Sequence, residues 1–323
     1  MRLSIIIPFY NVEKYIAECL DSVYNQDIPE EEYEVICVND ASPDHSRDIV
    51  LEYQKKHSNL ILVEHEVNKK LGAARNTGRK IARGKYIWNV DSDDMIVPNC
   101  LGHILSICER NCLDVLIFDR LYNDGGIIDY NKKDWQDITC PNSGVEIWKN
   151  VKNRLIFPAW NKIFRKDFLD DNNIYSPEIN MGEDVPYSVE AVLMAKTAYY
   201  TAAKYYVVRE NCNSLTRTMR KMPSPQTVYE NSFICGKKLD DVIKIIPNRE
   251  KDIIKSVRNI EKYILLNCSS FIKDMTQTDI KNFRTICRRN FRSNLFVMKV
   301  FGHKQTLKYL LFIMGCLDNL AAK

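Results

Sequence analysis

The sequence predicts an α/β protein, a mostly parallel sheet of Rossmann-like type flanked by helices, with a helical extension at the C-terminal end. From Leu3 to Phe118, short apolar runs rich in β-branched residues alternate with amphipathic segments. That alternation makes parallel strands joined by crossover helices. The early runs end in polar or acidic clusters, and in such sheets ligands sit beyond the carboxyl ends of the strands. The last third loses the alternation and reads as helix throughout.

Leu3 to Ile7 is a buried strand that Pro8 ends. Asn11 is placed as the N-cap of a helix that turns Val12, Ile16, Cys19, Leu20 and Val23 to one side. Glu34 to Val38 is the second strand, running into Asn39-Asp40. Ser42-Pro43 supplies an N-cap and a first-turn proline for a helix to Lys56. Leu60 to Val63 is the third strand and Gly72 to Arg83 the next helix. Tyr86, Ile87, Trp88 and Val90 carry strand-type side chains and lead into Asp91-Ser92-Asp93-Asp94. Pro98 opens a helix with Leu101, Ile104, Leu105 and Cys108 inward, followed by a strand from Asp114 to Phe118. Tyr205 to Arg209 reads as a strand that gives way to a polar loop from Asn211 to Thr216. Helices are expected at Thr227–Ile246, Lys251–Phe271 and Asp279–Phe291.

With 323 residues, the chain has room for one large or two modest domains. Its 45% hydrophobic and 27% charged content is that of an ordinary soluble protein. A net charge of +4 is too slight to argue for nucleic-acid binding. Its distribution says more. Met222 to Lys323 holds 18 Lys+Arg against 9 Asp+Glu, a surplus of +9, so the rest of the chain is near −5. The 11 cysteines are scattered without a Cys-x-x-Cys pair, and Cys19, Cys37 and Cys108 fall in apolar patterns. Reduced core thiols and a reducing compartment are expected. No signal peptide and no apolar run long enough to span a bilayer is visible.

Three carboxylates in four residues, Asp91, Asp93 and Asp94, repel one another. They read either as a hard-cation site or as an acidic turn before Pro98. The other strand ends, Pro8-Phe9-Tyr10-Asn11, Asn39-Asp40-Ala41-Ser42 and Asn68 to Gly72, should converge on the same edge. Carboxylates beside an aromatic suit a nucleotide. No Gly-x-Gly-x-x-Gly follows the first strand and no Gly-Lys-Ser/Thr loop occurs, which argues against a dinucleotide dehydrogenase and a P-loop ATPase. A metal held by carboxylates is then the natural partner for phosphates. His45, His57, His65, His103 and His303 show no ligand spacing and read as solvated or structural.

Pro8-Phe9-Tyr10-Asn11, Val38-Asn39-Asp40-Ala41-Ser42-Pro43-Asp44, Ala74-Arg75-Asn76-Thr77-Gly78 and Asp91-Ser92-Asp93-Asp94, in this order, resemble family 2 glycosyltransferases of the GT-A fold. Trp160-Asn161-Lys162-Ile163-Phe164 and Gly182-Glu183-Asp184 look like that family's acceptor-side motifs. The one small departure is Ala41, where the family often has glycine. The resemblance implies that Pro8, Tyr10 and Asn11 line the base and ribose pocket and that Asp40 accepts the imide N–H of uracil or of thymine. It implies Arg75 near base or phosphate. Asp91 and Asp93 would be the Asp-x-Asp pair for Mn²⁺ or Mg²⁺, with Asp93 the direct ligand and Asp91, beside Ser92, also reaching the nucleotide. Asp184, with Glu183 beside it, would be the catalytic base. Trp160 and Lys162 would face the acceptor, and Arg209 and Ser214 would belong to a segment that closes over the diphosphate.

The resemblance further implies inverting, metal-dependent transfer from a nucleoside-diphosphate sugar, most often uridine-linked, to a glycan or lipid-linked acceptor in bacterial surface-polysaccharide synthesis. Residues 1–218 would be the catalytic domain, divided into a nucleotide half (1–97) and an acceptor half (98–218). Residues 219–323 would be a basic helical region. From Arg284 to Lys308, basic residues interleave with Phe291, Leu295, Phe296, Val297, Val300 and Phe301. That pattern suits a helix on the cytoplasmic face of the inner membrane, or one packed on the catalytic domain. The competing functions are a sugar-nucleotide-binding protein without turnover and a sugar nucleotidyltransferase. The Gly-rich basic loop expected of the latter after the first strand is not present in Pro8-Phe9-Tyr10-Asn11.

Overall fold

A computed structural model describes residues 1–123, 141–151, 157–179, 182–209, 225–246 and 250–269. Four strands come first: β1 (Leu3–Phe9), β2 (Tyr33–Asn39), β3 (Leu60–Glu64) and β4 (Tyr86–Asn89). Between them run α1 (Ile16–Tyr24), α2 (Ser46–Lys56) and α3 (Leu71–Ile81). β5 (Met95–Ile96), α4 (Leu101–Arg110), β6 (Val115–Asn123), α5 (Gly144–Asn150), β7 (Lys162–Arg165), α6 (Lys166–Asp171), α7 (Asp184–Met194) and β8 (Ala198–Arg209) follow. The strands form one sheet in the order β3-β2-β1-β4-β7-β6-β8-β5. It is mostly parallel, as expected, with β7 and β5 inserted antiparallel to their neighbours.

β1 and β2 are buried at every residue. They therefore read as continuous apolar runs rather than alternating ones. One face of β1, Leu3, Ile5 and Ile7, packs on Cys19 and Leu20 of α1 and on Leu101 and Ile104 of α4. Ile6 on the opposite face joins Ile36, Val38 and Ala74 of α3. α3 lies close because it is smooth. A Cβ at Gly78 would press on the Ile6 side chain, and one at Gly72 would collide with the Pro177 carbonyl. The 176–177 segment is clasped to α3 by reciprocal bonds, Asn76 Nδ2 to the Ser176 carbonyl at 2.9 Å and Ser176 N–H to Asn76 Oδ1 at 3.1 Å.

Several local expectations are corrected. Pro8 lies inside β1 rather than ending it. The Ile6 carbonyl accepts from Val90 and the Phe9 carbonyl from Asp40. Pro8 therefore turns its nitrogen to the β4 side, where that pairing has already stopped. Asn11 is not an N-cap, since α1 begins at Ile16 and Asn11 occupies a left-handed turn with φ 56°. Ser42-Pro43 does not cap α2. The helix begins at Ser46, whose N–H is held by Asp44 Oδ1 at 3.2 Å, while Ser42 N–H turns back to Asn39 Oδ1 at 2.9 Å. α4 starts at Leu101, not Pro98, because Gln26 Oε1 accepts from Cys100 and Leu101 and so caps the helix from outside. Cys19, Cys37 and Cys108 are buried free thiols, as expected of core residues.

The chain divides into two compact units, Met1–Ser214 and Leu215–Lys323. In the second, α8 (Pro225–Ile245) and α9 (Lys251–Ser269) are joined by Arg258, which donates to Asp240 and Glu261 at 2.8 Å each. These helices match the two expected there. The third expected helix and the basic stretch from Arg284 to Lys308 lie outside the described residues. Among the described residues no helix is long and apolar enough to cross a membrane.

Asn11, Ala41 and Lys70 all take positive φ, and all lie in the loops beyond β1, β2 and β3. Ala41, at φ 59°, explains a family preference for glycine, since a Cβ is crowded there. Ala41→Gly is expected to raise unfolding free energy by about 0.5–1 kcal/mol in urea titration. Unchanged or lower stability would contradict the strain at this residue.

Candidate active site

The carboxyl ends of the parallel strands bring four groups of residues to one edge. At the end of β1, Tyr10 is 43% exposed, Asn11 is exposed, and the Asn11 N–H lies 3.3 Å from Ser42 Oγ. Pro8 is buried behind them. Asp40, after β2, is only 4% exposed, and its carboxylate is already engaged. Oδ1 accepts Lys69 N–H and faces His65 Nδ1, both at 2.7 Å, and Oδ2 accepts Lys70 N–H at 2.8 Å. One lone pair of Oδ2 is left for an outside donor by this set of bonds.

Beyond β4 the chain folds into a tight acidic turn in which Asp94 N–H returns to the Asp91 carbonyl at 3.0 Å. The three carboxylates separate into different roles. Asp94 points inward, accepting Tyr206 Oη at 2.9 Å and Arg209 N–H at 2.8 Å. Burial, with Asp93 and Asp91 adding, pushes its pKa up to about 8. Asp91 is partly exposed and accepts Arg75 Nη2 at 2.8 Å. Burial raises it to about 6 against the pull of Arg75. Asp93 is half-buried and Ser92 is buried. Tyr206 organises the turn, since its hydroxyl also accepts Asp91 N–H at 3.0 Å.

Arg75 is the centre of the site. It is 3% exposed and binds three carboxylates: Asp91 through Nη2, and Glu183 (2.9 Å) and Asp184 through Nη1. Burial opposes the charged guanidinium, but Asp184, Asp91 and Glu183 outweigh it and push its pKa up. Asp184 opens α7, with Glu183 at the N-cap, so both acids sit where a helix favours negative charge. The second oxygen of Asp184 accepts Ala159 N–H at 3.3 Å. Arg75 was expected near base or phosphate. In the structure it links the acidic turn of the nucleotide half to the acid pair some ninety residues later.

On the acceptor side, the Trp160 ring stacks on Tyr206 at 4.5 Å, and its carbonyl accepts Trp88 Nε1 at 2.7 Å. Lys162 does not face an acceptor groove. It is fully buried in β7, with Nζ bonded to Asn161 Oδ1 at 2.7 Å and to the Pro158 carbonyl. Burial drives its pKa well down. It props the segment whose Ala159 N–H holds Asp184. Arg209 ends β8 and is fixed at the rim, bonded to the Asp93 carbonyl at 3.0 Å and to Glu18 at 2.7 Å. Ser214 lies outside the described residues.

Residues 4–172 match the family model described as Glycosyl transferase family 2. The chain belongs to that family. It is therefore a glycosyltransferase. EpsJ of Bacillus subtilis, named as an uncharacterized glycosyltransferase, is 28% identical over 81% of this chain and 83% of its own. A poly(ribitol-phosphate) beta-glucosyltransferase of Bacillus spizizenii is 36% identical over 65% of this chain. The match spans only 33% of that relative's length. The crystal structure of Staphylococcus aureus TarS 1-349 in complex with UDP-GlcNAc superposes with a TM-score of 0.67 at 25% identity, covering 99% of this chain and 90% of that one. The expected GT-A fold is thereby met.

The donor chemistry suits a divalent ion held in part by substrate. Among the described residues no group of three or more His, Cys, Asp or Glu side chains is arranged as a metal cage. Asp94 is spent on Tyr206 and Arg209, and the hard oxygen donors beside it in the turn are the carboxylates of Asp93 and Asp91. One or two carboxylates completed by phosphate oxygens is how Mg²⁺ is commonly bound in phosphate enzymes.

Sequence reading missed Tyr206 and His65. Neither carries a spacing signal, and both act by touching Asp residues distant in the chain.

Burial, reinforced by Asp184 and opposed by Arg75, raises Glu183 from the ordinary 4.5 to about 8. Between those values the folded state keeps a proton that the unfolded chain releases, so stability falls as pH rises through that window. Glu183→Gln is expected to melt about 2–4 °C above the parent at pH 8.5. The gap should vanish below pH 4.5, where Glu183 is protonated in the folded and the unfolded chain alike; a difference independent of pH contradicts the shift.

Proposed function

We propose that the chain transfers a sugar from a uridine-diphosphate-linked donor to an acceptor hydroxyl, inverting the anomeric configuration. The observation that carries this is the Arg75 cluster, which places Asp184 beside the Asp91–Asp94 turn. A nucleotide diphosphate at the turn thus has a carboxylate within the same site to serve its acceptor. The UDP-GlcNAc held by a similar solved structure supports the donor class.

Tyr10 and Asn11 bound the base and ribose, with the exposed Tyr10 ring against the base and Pro8 as backing. Asp40 takes the imide N–H of uracil through its open lone pair. Asp93 with Asp91 would hold a divalent ion, Mn²⁺ or Mg²⁺, which when bound would supply charge neutralisation for the departing diphosphate. Asp184 removes the proton from the acceptor hydroxyl as that oxygen attacks the anomeric carbon opposite the leaving group. Arg75 and Ala159 N–H fix the Asp184 carboxylate, Glu183 shares Nη1 of the guanidinium with it, and Asp91 holds the other side. A single displacement needs no nucleophilic carboxylate from the protein. Trp160, stacked on Tyr206, offers an aromatic surface to the acceptor, and Arg209 anchors the rim.

The acceptor class is a glycan or a lipid-linked oligosaccharide of bacterial surface-polysaccharide synthesis. Relatives named for poly(ribitol-phosphate) support a polymeric acceptor. Residues 1–218 would carry the chemistry and 219–323 the basic extension. The +9 surplus of the last third supports contact with an anionic cytoplasmic leaflet, where lipid-linked acceptors are found.

Asp184→Asn is expected to lower kcat by about 10³-fold or more while donor affinity by calorimetry stays within about twofold. Wild-type turnover in that variant removes Asp184 from the role of base.

A further inference from the structure

We propose that His65 is a positioning residue that makes Asp40 selective for a uracil base. The inference rests on the reading of Asp40 as the base contact. His65 follows β3 directly, and its backbone N–H extends the β2–β3 pairing to the Asn39 carbonyl at 2.9 Å. Its ring is buried, 8% exposed, between two polar partners. Nδ1 lies 2.7 Å from Asp40 Oδ1 and Nε2 lies 2.9 Å from Thr77 Oγ1 on α3. A ring protonated on Nδ1 satisfies both, donating to the carboxylate and accepting the threonine hydroxyl.

This contact decides which oxygen of Asp40 is available. Oδ1 is filled by His65 and Lys69 N–H, whereas among the described residues Oδ2 holds only Lys70 N–H. The carboxylate cannot rotate without losing these bonds, and Lys70 is itself strained at φ 78°. His65 therefore braces Asp40 from behind, and Thr77 braces His65 from the same helix that carries Arg75. The consequence is chemical. Uracil presents N–H at ring position 3, which an acceptor-only oxygen can receive. Cytosine presents a lone pair there, which that oxygen repels. A carboxylate free to swing could turn aside and meet the cytosine amino group instead. A braced one cannot, and rejection of a ligand that leaves a built polar site unpaired is severe.

The test is calorimetric titration of the full chain with UDP and with CDP in Mn²⁺. The wild type should prefer UDP. His65→Leu should lower the UDP-to-CDP affinity ratio by about tenfold or more, UDP binding weakening while CDP binding is gained rather than lost. His65→Asn, whose amide can replace the Nδ1 donor, should recover part of the ratio. An equal loss for both nucleotides, or an unchanged ratio, overturns the proposal. Asp40→Asn separates the two levels of the reading. If it collapses the ratio while His65→Leu does not, the role of His65 fails alone. If it leaves the ratio intact, Asp40 is not the base contact and the proposal fails with it. Should His65→Leu not fold, Thr77→Val, which frees only the outer ring nitrogen, carries the same test, and full discrimination in it overturns the role.

Discussion

Everything in the site depends on one buried guanidinium. Arg75 sits on α3 and holds Asp91 on one side and Glu183 with Asp184 on the other. These acids come from separate stretches of chain, and this ion cluster joins them directly. The fold is shaped to make it possible. Gly72 and Gly78 let α3 press against the 177 segment and the sheet. Asn76 clasps Ser176 and so brings the following stretch toward α3. A buried pair is weak evidence for stability in itself, because desolvation offsets much of the attraction. Its value here is register: it fixes where the acceptor-side acid stands relative to the nucleotide-side turn.

The cluster is not electrically balanced. Arg75 pairs with three of the acids, Asp91, Glu183 and Asp184, while the Arg209 guanidinium goes to the Asp93 carbonyl and to Glu18 rather than to the carboxylates of the turn. Burial is the main cause that raises Asp91, Asp94 and Glu183, and neighbouring acids add to it. An anionic diphosphate would be repelled by such a site on its own. A divalent cation and a diphosphate arriving together offset the acids and one another, which is the physical reason a carboxylate-lined edge can serve a phosphate ligand.

Much of the sheet was legible. Continuous apolar runs such as Leu3–Ile7 and Glu34–Val38 are strands because both faces are covered, and burial leaves a compositional trace. The antiparallel β5 was not legible, since two residues make no pattern, and β7 is four residues long and hides behind the lysine that begins it. Lys162 looked like a surface group because lysine is almost never fully buried. Nothing local announces that Pro158 and Asn161 will accept its protons. The helix starts failed for a related reason: Gln26 and Asp44 cap helices in ways that adjacent letters do not show. In the site, residue types were readable and partnerships were not. Asp91, Asp184 and Arg75 each stood out, but their meeting is a tertiary event. Tyr206 and His65 were invisible because their roles lie wholly in what they touch.

The central claim is that this edge binds a nucleotide sugar with a divalent ion and gives up the nucleotide diphosphate. The most direct measurement is release of nucleoside diphosphate from a panel of uridine-, guanosine- and thymidine-linked sugars, in Mn²⁺ and in chelator. The account predicts release from a uridine-linked donor that requires the ion and is abolished by chelation. Full release in chelator, or a preference for guanosine-linked donors, would contradict it.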